Sequence, residues 1–274
     1  MDAEKLQILL TNDDGIDSPG LWAAAEALSS IGYVWVVAPR EQSSGTGRSM
    51  PSTSDGIIRA QTLNVHGQDW TVYAVGGTPA QAVQHAIMEI MPQKPDLVVS
   101  GINYGSNLGP GITVSGTVGA AMEGASHGIP AIAISLETES RYHLSYSKEI
   151  DFCASAHFTT YFARLYLDSR LDPDIRLLKI EVPADATPQT PWAITRLSPI
   201  RYYQPLRPER TSWEEAGTVG YAMKTDPALF PEDSDVYAIL SKRVVAVTPL
   251  SLDMTARVDL HTLEADLRSL DKRA

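Results

Sequence analysis

The chain carries two adjacent carboxylates, Asp13 and Asp14, directly after a short apolar run. Two like charges this close repel each other unless a cation lies between them. Carboxylate, hydroxyl and amide oxygens are ligands suited to Mg²⁺, Mn²⁺ or Ca²⁺ rather than to zinc. The pair therefore predicts a site for a hard divalent cation. A structural alternative stays open, in which Asp14 and Gly15 form a tight turn and a carboxylate caps the next helix.

Two further oxygen donors follow other apolar runs. Ser44 lies in the Gly/Ser-rich segment 38–50, and Asn103 follows the run at 96–100. Each is a common loop residue that carries little information alone. Together with the acidic pair they complete a set of four donors: Asp13, Asp14, Ser44 and Asn103. We expect this set to hold one divalent cation per subunit, Mg²⁺ or Mn²⁺, with Ca²⁺ as an alternative occupant in crystals.

A glycine-rich segment, 101–117, ends at Ser115-Gly116-Thr117, just before a helical pattern. The N–H groups at a helix start point toward an anion, and the helix dipole favours negative charge there. A cation beside such a helix start is what phosphoryl transfer requires. The alternative is that Ser115 acts only as a helix N-cap.

Apolar runs alternate with helical patterns over the first half of the chain. Four runs are typical of buried strands: 6–11, 34–37, 96–100 and 131–136. Helical spacing follows Ser18-Pro19 and Thr78-Pro79 and resumes near Val118. This alternation predicts an α/β fold with a Rossmann-like, doubly wound, mostly parallel sheet. Ligands bind beyond the carboxyl ends of such strands. We therefore expect the three loops that carry the Asp13–Asp14 pair, Ser44 and Asn103 to lie at one edge of the sheet.

Weaker patterns give the other elements. We expect Gly32 to end the first helix, and residues 57–75 to form a hairpin with its turn in His66-Gly67-Gln68-Asp69. Residues 184–243 are rich in proline and turn residues and predict an irregular, β-rich excursion. Further elements are expected at four ranges: a helix at 146–168, strands at 175–183 and 244–249, and a terminal helix at 259–270.

Composition narrows the classes of partner. A net charge of −11 argues against binding of long nucleic acid, whose affinity depends on Lys and Arg. No apolar run approaches the ~20 residues of a membrane span and no secretory signal is visible, so we expect a cytoplasmic protein without membrane contact. The one cysteine, Cys153, excludes an intrachain disulfide and a four-cysteine zinc site, and its neighbours predict a buried thiol on a helix.

Three other classes of protein fit less well. A dinucleotide oxidoreductase would need GxGxxG after the first strand, where this chain has NDDGIDSPG. A receiver domain would need a phosphoacceptor aspartate at a later strand end, and DLVVSGIN offers none. A non-catalytic nucleotide-binding regulator stays open, since its site could contain the same residues.

Four sequence blocks carry a family resemblance. They run in order from residue 8 to residue 124: ILLTNDDGIDSPG, VVAPREQSSGTGRSM, PDLVVSGINYGSNLG and SGTVGAAMEG. They strongly resemble the survival protein E (SurE) family of nucleotidases, and AVTPLSLDMTA at 246–256 resembles that family's C-terminal block. One departure is Lys179-Ile180-Glu181-Val182-Pro183, which stands where the family often has NxNVP.

The resemblance implies roles for named positions. Four residues would hold one divalent metal: Asp13, Asp14, Ser44 and Asn103. Four others would lie at the phosphate: Asn107, Ser115, Gly116 and Thr117. Asp13 is expected to be catalytic by orienting or deprotonating the attacking water, and a covalent aspartyl-phosphate is the alternative.

The resemblance also implies activity and assembly. The expected reaction is metal-dependent hydrolysis of nucleoside 5′-monophosphates, with broader phosphomonoesterase action as an extension. The expected organisation is a single SurE-like domain over 1–274, with a Rossmann-like core and metal site in 1–136. Residues 137–274 would hold the β-rich excursion and a C-terminal oligomerisation segment, which implies a homodimer or homotetramer.

Overall fold

Nine strands form the central sheet of the computed structural model, which describes residues 5–65, 68–143, 145–147 and 149–271. The strands in these described residues are β1 (Leu6–Thr11), β2 (Gly32–Pro39), β3 (Ile58–Val65), β4 (Gln68–Val75), β5 (Leu97–Tyr104), β6 (Ala131–Leu136), β7 (Leu177–Val182), β8 (Trp192–Ile194), β9 (Tyr203–Leu206), β10 (Gly220–Met223) and β11 (Val245–Leu250). The sheet order is β3-β4-β2-β1-β5-β6-β7-β11-β8. The β3–β4 and β7–β11 pairs are antiparallel, and the other neighbouring pairs are parallel.

Helices cover both faces of this sheet. They are α1 (Pro19–Leu28), α2 (Pro79–His85, continued as a wider turn over Ala86–Ile90), α3 (Gly116–Ser126), α4 (Cys153–Asp168), α5 (Asp235–Tyr237, continued over Ala238–Lys242) and α6 (Leu260–Asp271). Short 3₁₀ turns occupy Gly109–Thr113, Ser140–Tyr142 and Pro227–Leu229. The fold is therefore α/β and Rossmann-like, as the sequence predicts.

The sheet packs against an apolar core on each of its two faces, which explains why its inner strands are apolar at consecutive positions. In β1, Ile8 and Leu10 face a core with α1 and α4, whereas Leu9 faces a core with α2 and α3. In β5, Val99 packs in the core with α1 and α4, and Val98 packs in the core with α2 and α3. A strand buried on both faces needs an apolar side chain at every position, because alternate residues point to opposite sides.

The sheet continues beyond residue 136. Strands β7, β11 and β8 extend it in that order, so segments near 180 and 245 pack beside the N-terminal strands. A third apolar cluster lies under the excursion and includes Leu108, Tyr202, Phe230 and Ile239. Strands β9 and β10 form a separate antiparallel ribbon. The segment around 107–109 is therefore in contact with parts of the chain that follow it by more than ninety residues.

Most of the predicted elements are confirmed, with shifts at their ends. The β3–β4 hairpin is present, and His66 and Gly67 of its predicted turn lie outside the described residues. Helix α2 begins at Thr78-Pro79 with a capping box between Thr78 and Gln81. Helix α4 begins at Cys153 rather than at 146, because Tyr146 and Ser147 instead make tertiary hydrogen bonds to the N-terminal core.

Three sequence predictions are wrong. Gly32 does not end the first helix, which stops at Leu28; Gly32 begins β2 and pairs with Leu6. Asn103 does not lie in a loop, because β5 continues to Tyr104 after an irregularity in its pairing with β6. Cys153 is exposed rather than buried. Gly101 permits the β5 continuation, since its φ of 132° is rarely adopted by residues with a side chain.

Among the described residues, no helix is long and apolar enough to cross a bilayer.

Candidate active site

The carboxyl ends of β1, β2 and β5 meet at one edge of the sheet, where the strand order changes direction around β1. A cavity of about 620 Å³ opens there. Five of the eight residues predicted for the site line this cavity: Asp13, Ser44, Asn103, Asn107 and Ser115. The other three, Asp14, Gly116 and Thr117, lie behind its wall and contact the residues that form it.

Asp13 is buried and fixed from two sides. The Thr117 hydroxyl donates a 2.5 Å hydrogen bond to its carboxylate, and the Ser43 N–H donates to its main-chain oxygen at 2.7 Å. Burial raises the pKa of Asp13 above its ordinary value, although the hydrogen bond from Thr117 opposes that effect. Gly116 allows α3 to approach this closely, because a Cβ there would lie 2.6 Å from the Asp13 Cβ.

Asp14 is buried beside Asp13 and has different partners. Its two carboxylate oxygens accept hydrogen bonds from Gln42 Nε2 at 3.2 Å and from the Tyr104 N–H at 3.3 Å. The Tyr146 hydroxyl donates to its main-chain oxygen at 2.7 Å. Burial and then the neighbouring Asp13 charge raise the pKa of Asp14 well above its usual range. The pair is therefore costly to ionise unless positive charge is supplied.

The donor set fits a hard divalent cation. No Lys, Arg or His in the described part of the chain forms an ion pair with Asp13 or Asp14. Asn103 donates its Nδ2 to the Gly105 carbonyl at 2.6 Å, which turns its Oδ1 away from that carbonyl. Hydroxyl and amide oxygens therefore accompany two carboxylates, a combination suited to Mg²⁺ or Mn²⁺. The described residues contain no cluster of three or more His, Cys, Asp and Glu side chains that would suggest a different kind of metal site.

The start of α3 forms one wall of the cavity. Ser115 is the N-cap of this helix, and its hydroxyl accepts the Val118 N–H at 3.1 Å, so it does act as the structural cap. Its position on the cavity wall also presents the helix N-terminus to the space beside Asp13. Asn107 also lines the cavity, and it donates its Nδ2 to the Ser135 hydroxyl at 2.9 Å.

An aromatic wall lines the cavity beside the main chain of residues 105–106. It is formed by His143, Tyr203 and Tyr221, with Arg201 at its edge. The His143 and Tyr221 rings are stacked, and His143 Nδ1 lies 2.8 Å from the Tyr221 hydroxyl. Burial lowers the pKa of His143 below its usual value, although the hydrogen bond with the Thr138 main chain opposes that effect.

Comparison with known proteins identifies the family of this chain. The sequence profile described as "Survival protein SurE" matches residues 8–204. The chain belongs to the SurE family. It is 44% identical to the 5′-nucleotidase SurE of Thermococcus gammatolerans, covering 94% of this chain and 95% of that one. The Thermococcus kodakarensis protein of the same name is 42% identical, with 93% and 95% covered.

A solved SurE structure has the same fold. The crystal structure of the SurE protein from Aquifex aeolicus superposes with a TM-score of 0.75 at 32% identity. The match covers 97% of this chain and 99% of that one. The similarity therefore extends through the C-terminal half, including the excursion that the sequence left irregular.

Sequence reasoning missed the aromatic wall of this SurE protein. No histidine was assigned a site role, yet His143 lines the cavity. Tyr203 and Tyr221 come from the β9–β10 ribbon, more than ninety residues after Asn107. The concentration of tyrosine in the 202–221 segment was the available signal, and only the tertiary fold connects that segment with the NDDG loop.

Proposed function

We propose that this chain is a divalent-metal-dependent 5′-nucleotidase that hydrolyses nucleoside 5′-monophosphates to nucleoside and phosphate, with activity extending to other phosphomonoesters. The observation that carries the proposal is a pair of buried carboxylates that have no Lys, Arg or His ion partner among the described residues. One of them, Asp13, lines a cavity beside a helix N-terminus. The names of the relatives, each a 5′-nucleotidase, support the same reaction.

The proposed metal ligands are Asp13, Asp14, Ser44 and Asn103. A divalent cation bound there would lower the pKa of a water ligand and neutralise charge on the phosphate. The proposed phosphate-binding group is Asn107, Ser115, Gly116 and Thr117. Within it, Asn107 and the helix start flank the phosphate, while Gly116 and Thr117 fix Asp13 from behind.

Asp13 is the proposed catalytic residue. Thr117 donates a hydrogen bond to its carboxylate, and we propose that this carboxylate orients the attacking water or accepts its proton. The alternative is direct attack by the Asp13 carboxylate to form an aspartyl-phosphate. Acid quenching during turnover of radiolabelled phosphate ester distinguishes them, since label retained on the protein would require the covalent route.

The aromatic wall is the proposed nucleoside side of the cavity. A nucleobase has apolar faces that stack on rings such as Tyr221, whereas the phosphate needs the polar end near Asp13. The cavity therefore offers aromatic rings to the base and polar groups to the phosphate of a nucleotide.

Removing the Tyr221 ring should weaken nucleotide binding selectively. Loss of one base-stacking ring costs about 1–3 kcal/mol, so we expect Tyr221→Ala to raise KM for nucleoside monophosphates about tenfold. KM for glycerol phosphate, which has no ring, should stay within about twofold. Tyr221→Phe keeps the ring and serves as the matched control. An equal loss with both substrates would contradict a nucleoside role.

Assembly into a homodimer or homotetramer is proposed from the terminal helix. Four leucines of α6, Leu260, Leu263, Leu267 and Leu270, recur at helical spacing and are all exposed. Monomeric proteins rarely leave such a stripe uncovered, so contact with another copy of the chain would bury it. A cytoplasmic location remains a proposal from the sequence.

The decisive test of the function is phosphate release from a panel of nucleoside monophosphates with Mg²⁺, Mn²⁺ or EDTA. We expect release with either metal and none with EDTA. Release that survives EDTA would contradict the metal assignment. If folded protein releases no phosphate in a single turnover with any metal, a non-catalytic nucleotide-binding regulator becomes the better description.

A further inference from the structure

Three ionisable side chains are fully buried close to one another: Lys179 and Glu181 on β7, and Asp235 at the start of α5. The Lys179 ammonium lies 3.3 Å from a Glu181 oxygen and 3.1 Å from an Asp235 oxygen. We call these residues the buried ion triad. Such groups lose their hydration on burial, and apolar residues of similar volume often stabilise a protein as well or better. Stability alone therefore does not account for the triad.

Each member of the triad also binds the main chain of the segment 107–109. Lys179 Nζ donates to the Asn107 carbonyl oxygen at 2.9 Å, and the second oxygen of Glu181 accepts the Asn107 N–H at 3.1 Å. Asp235 accepts the Gly109 N–H at 2.9 Å. The N–H and C=O groups of Asn107 and the N–H of Gly109 thus bond to charged side chains, which form stronger hydrogen bonds than neutral ones.

This segment forms part of the cavity wall. The Asn107 side chain lines the cavity and donates to Ser135 on β6. The triad therefore connects β7 and α5 to a residue of the phosphate site without itself reaching the cavity. Misplacement of a binding group by about 1 Å can cost a large factor in rate or affinity.

We propose that Lys179, Glu181 and Asp235 are positioning residues that hold Asn107 in place for phosphate binding. This inference rests on the proposed function, in which Asn107 contacts the phosphate. It assigns a role in substrate binding to three residues that contact neither the cavity nor the predicted metal ligands.

Glu181→Gln tests the proposal with little change in volume. The carboxylate accepts from Lys179 with one oxygen and from Asn107 with the other, whereas an amide has a single acceptor. Either orientation of the amide therefore loses one contact. We expect the Kd for inorganic phosphate, measured calorimetrically with saturating Mn²⁺, to rise about tenfold, a typical result of losing a charged hydrogen bond. The Kd for Mn²⁺ alone should stay within about twofold.

Thr248→Val is the matched control. Thr248 is buried on β11 opposite Lys179 in the sheet, and its hydroxyl bonds to Thr195 rather than to the 107–109 segment. The Thr248→Val variant therefore shows how phosphate binding responds to a general loss of stability in this part of the sheet. If Glu181→Gln fails to fold, Glu181→Asp replaces it, because it keeps the charge and withdraws it from the Asn107 N–H.

The outcomes separate this proposal from the proposed function. Phosphate affinity that falls in the Glu181 variant but not in Thr248→Val supports positioning, even if the wild type hydrolyses no nucleotide and the proposed function fails. Equal phosphate affinities in the two variants would overturn the positioning role. So would parallel losses of Mn²⁺ and phosphate affinity, or a wild type that does not bind phosphate.

Discussion

Replacing Asp13 with Asn should abolish metal-dependent phosphate release. The substitution keeps the size of the side chain and its contact with Thr117 but removes one of two buried negative charges. A bound cation contributes several kcal/mol to transition-state stabilisation, so we expect kcat/KM to fall by about 10³-fold or more. Phosphate release from a nucleoside monophosphate with Mn²⁺, together with calorimetric titration of Mn²⁺, measures both effects.

Asp17→Asn provides the control for Asp13→Asn. It makes the same chemical change four residues away, at an exposed position outside the cavity. Activity should therefore stay near that of the wild type. If Asp13→Asn retains wild-type activity and Mn²⁺ affinity, both the metal assignment and the catalytic role of Asp13 are wrong.

The sheet edge that carries the site could be predicted from the sequence, because short local patterns indicate the strands that form it. Continuous apolar runs predicted β1, β2 and β5, and the parallel arrangement then required their carboxyl ends to meet. That rule brought the predicted oxygen donors to one edge although they are separated by up to ninety residues. The cavity lined by Asp13, Ser44 and Asn103 has this arrangement.

Local sequence patterns did not indicate the features that depend on tertiary contacts. The continuation of β5 through Asn103 depends on pairing with β6, and the late start of α4 depends on the hydrogen bond from Tyr146 to Asp14. The sequence showed Lys179 and Glu181 only as a departure from the NxNVP motif. The ion pair between Lys179 and Asp235 comes from a fold contact between β7 and α5 that no periodicity indicates.

Removing the cation of the buried ion triad should cause the largest loss of stability among these variants. Lys179→Met keeps an elongated side chain but leaves Glu181 and Asp235 buried without their ammonium partner. Breaking a buried ion pair in this way typically costs about 3–5 kcal/mol. We expect a loss of that size in the free energy of unfolding, measured by urea denaturation at pH 8. Arg196→Met is the control, because it breaks an exposed pair with Asp233 and should change stability little.

The loss of unfolding free energy in Lys179→Met should become smaller as the pH falls. Burial raises the pKa of Glu181 to about 7, in spite of the opposing effect of Lys179. A carboxyl with a raised pKa binds its proton more tightly when folded, so its contribution to stability is full below its unfolded pKa and is lost as pH rises through about 7. Without Lys179 the pKa of Glu181 rises further. Between pH 5.5 and pH 8 the folded wild type therefore releases a proton that the folded variant tends to keep, so the loss of stability is larger at pH 8 than at pH 5.5. A loss that is equal at the two pH values, or absent at pH 8, would show that the ammonium does not compensate these carboxylates.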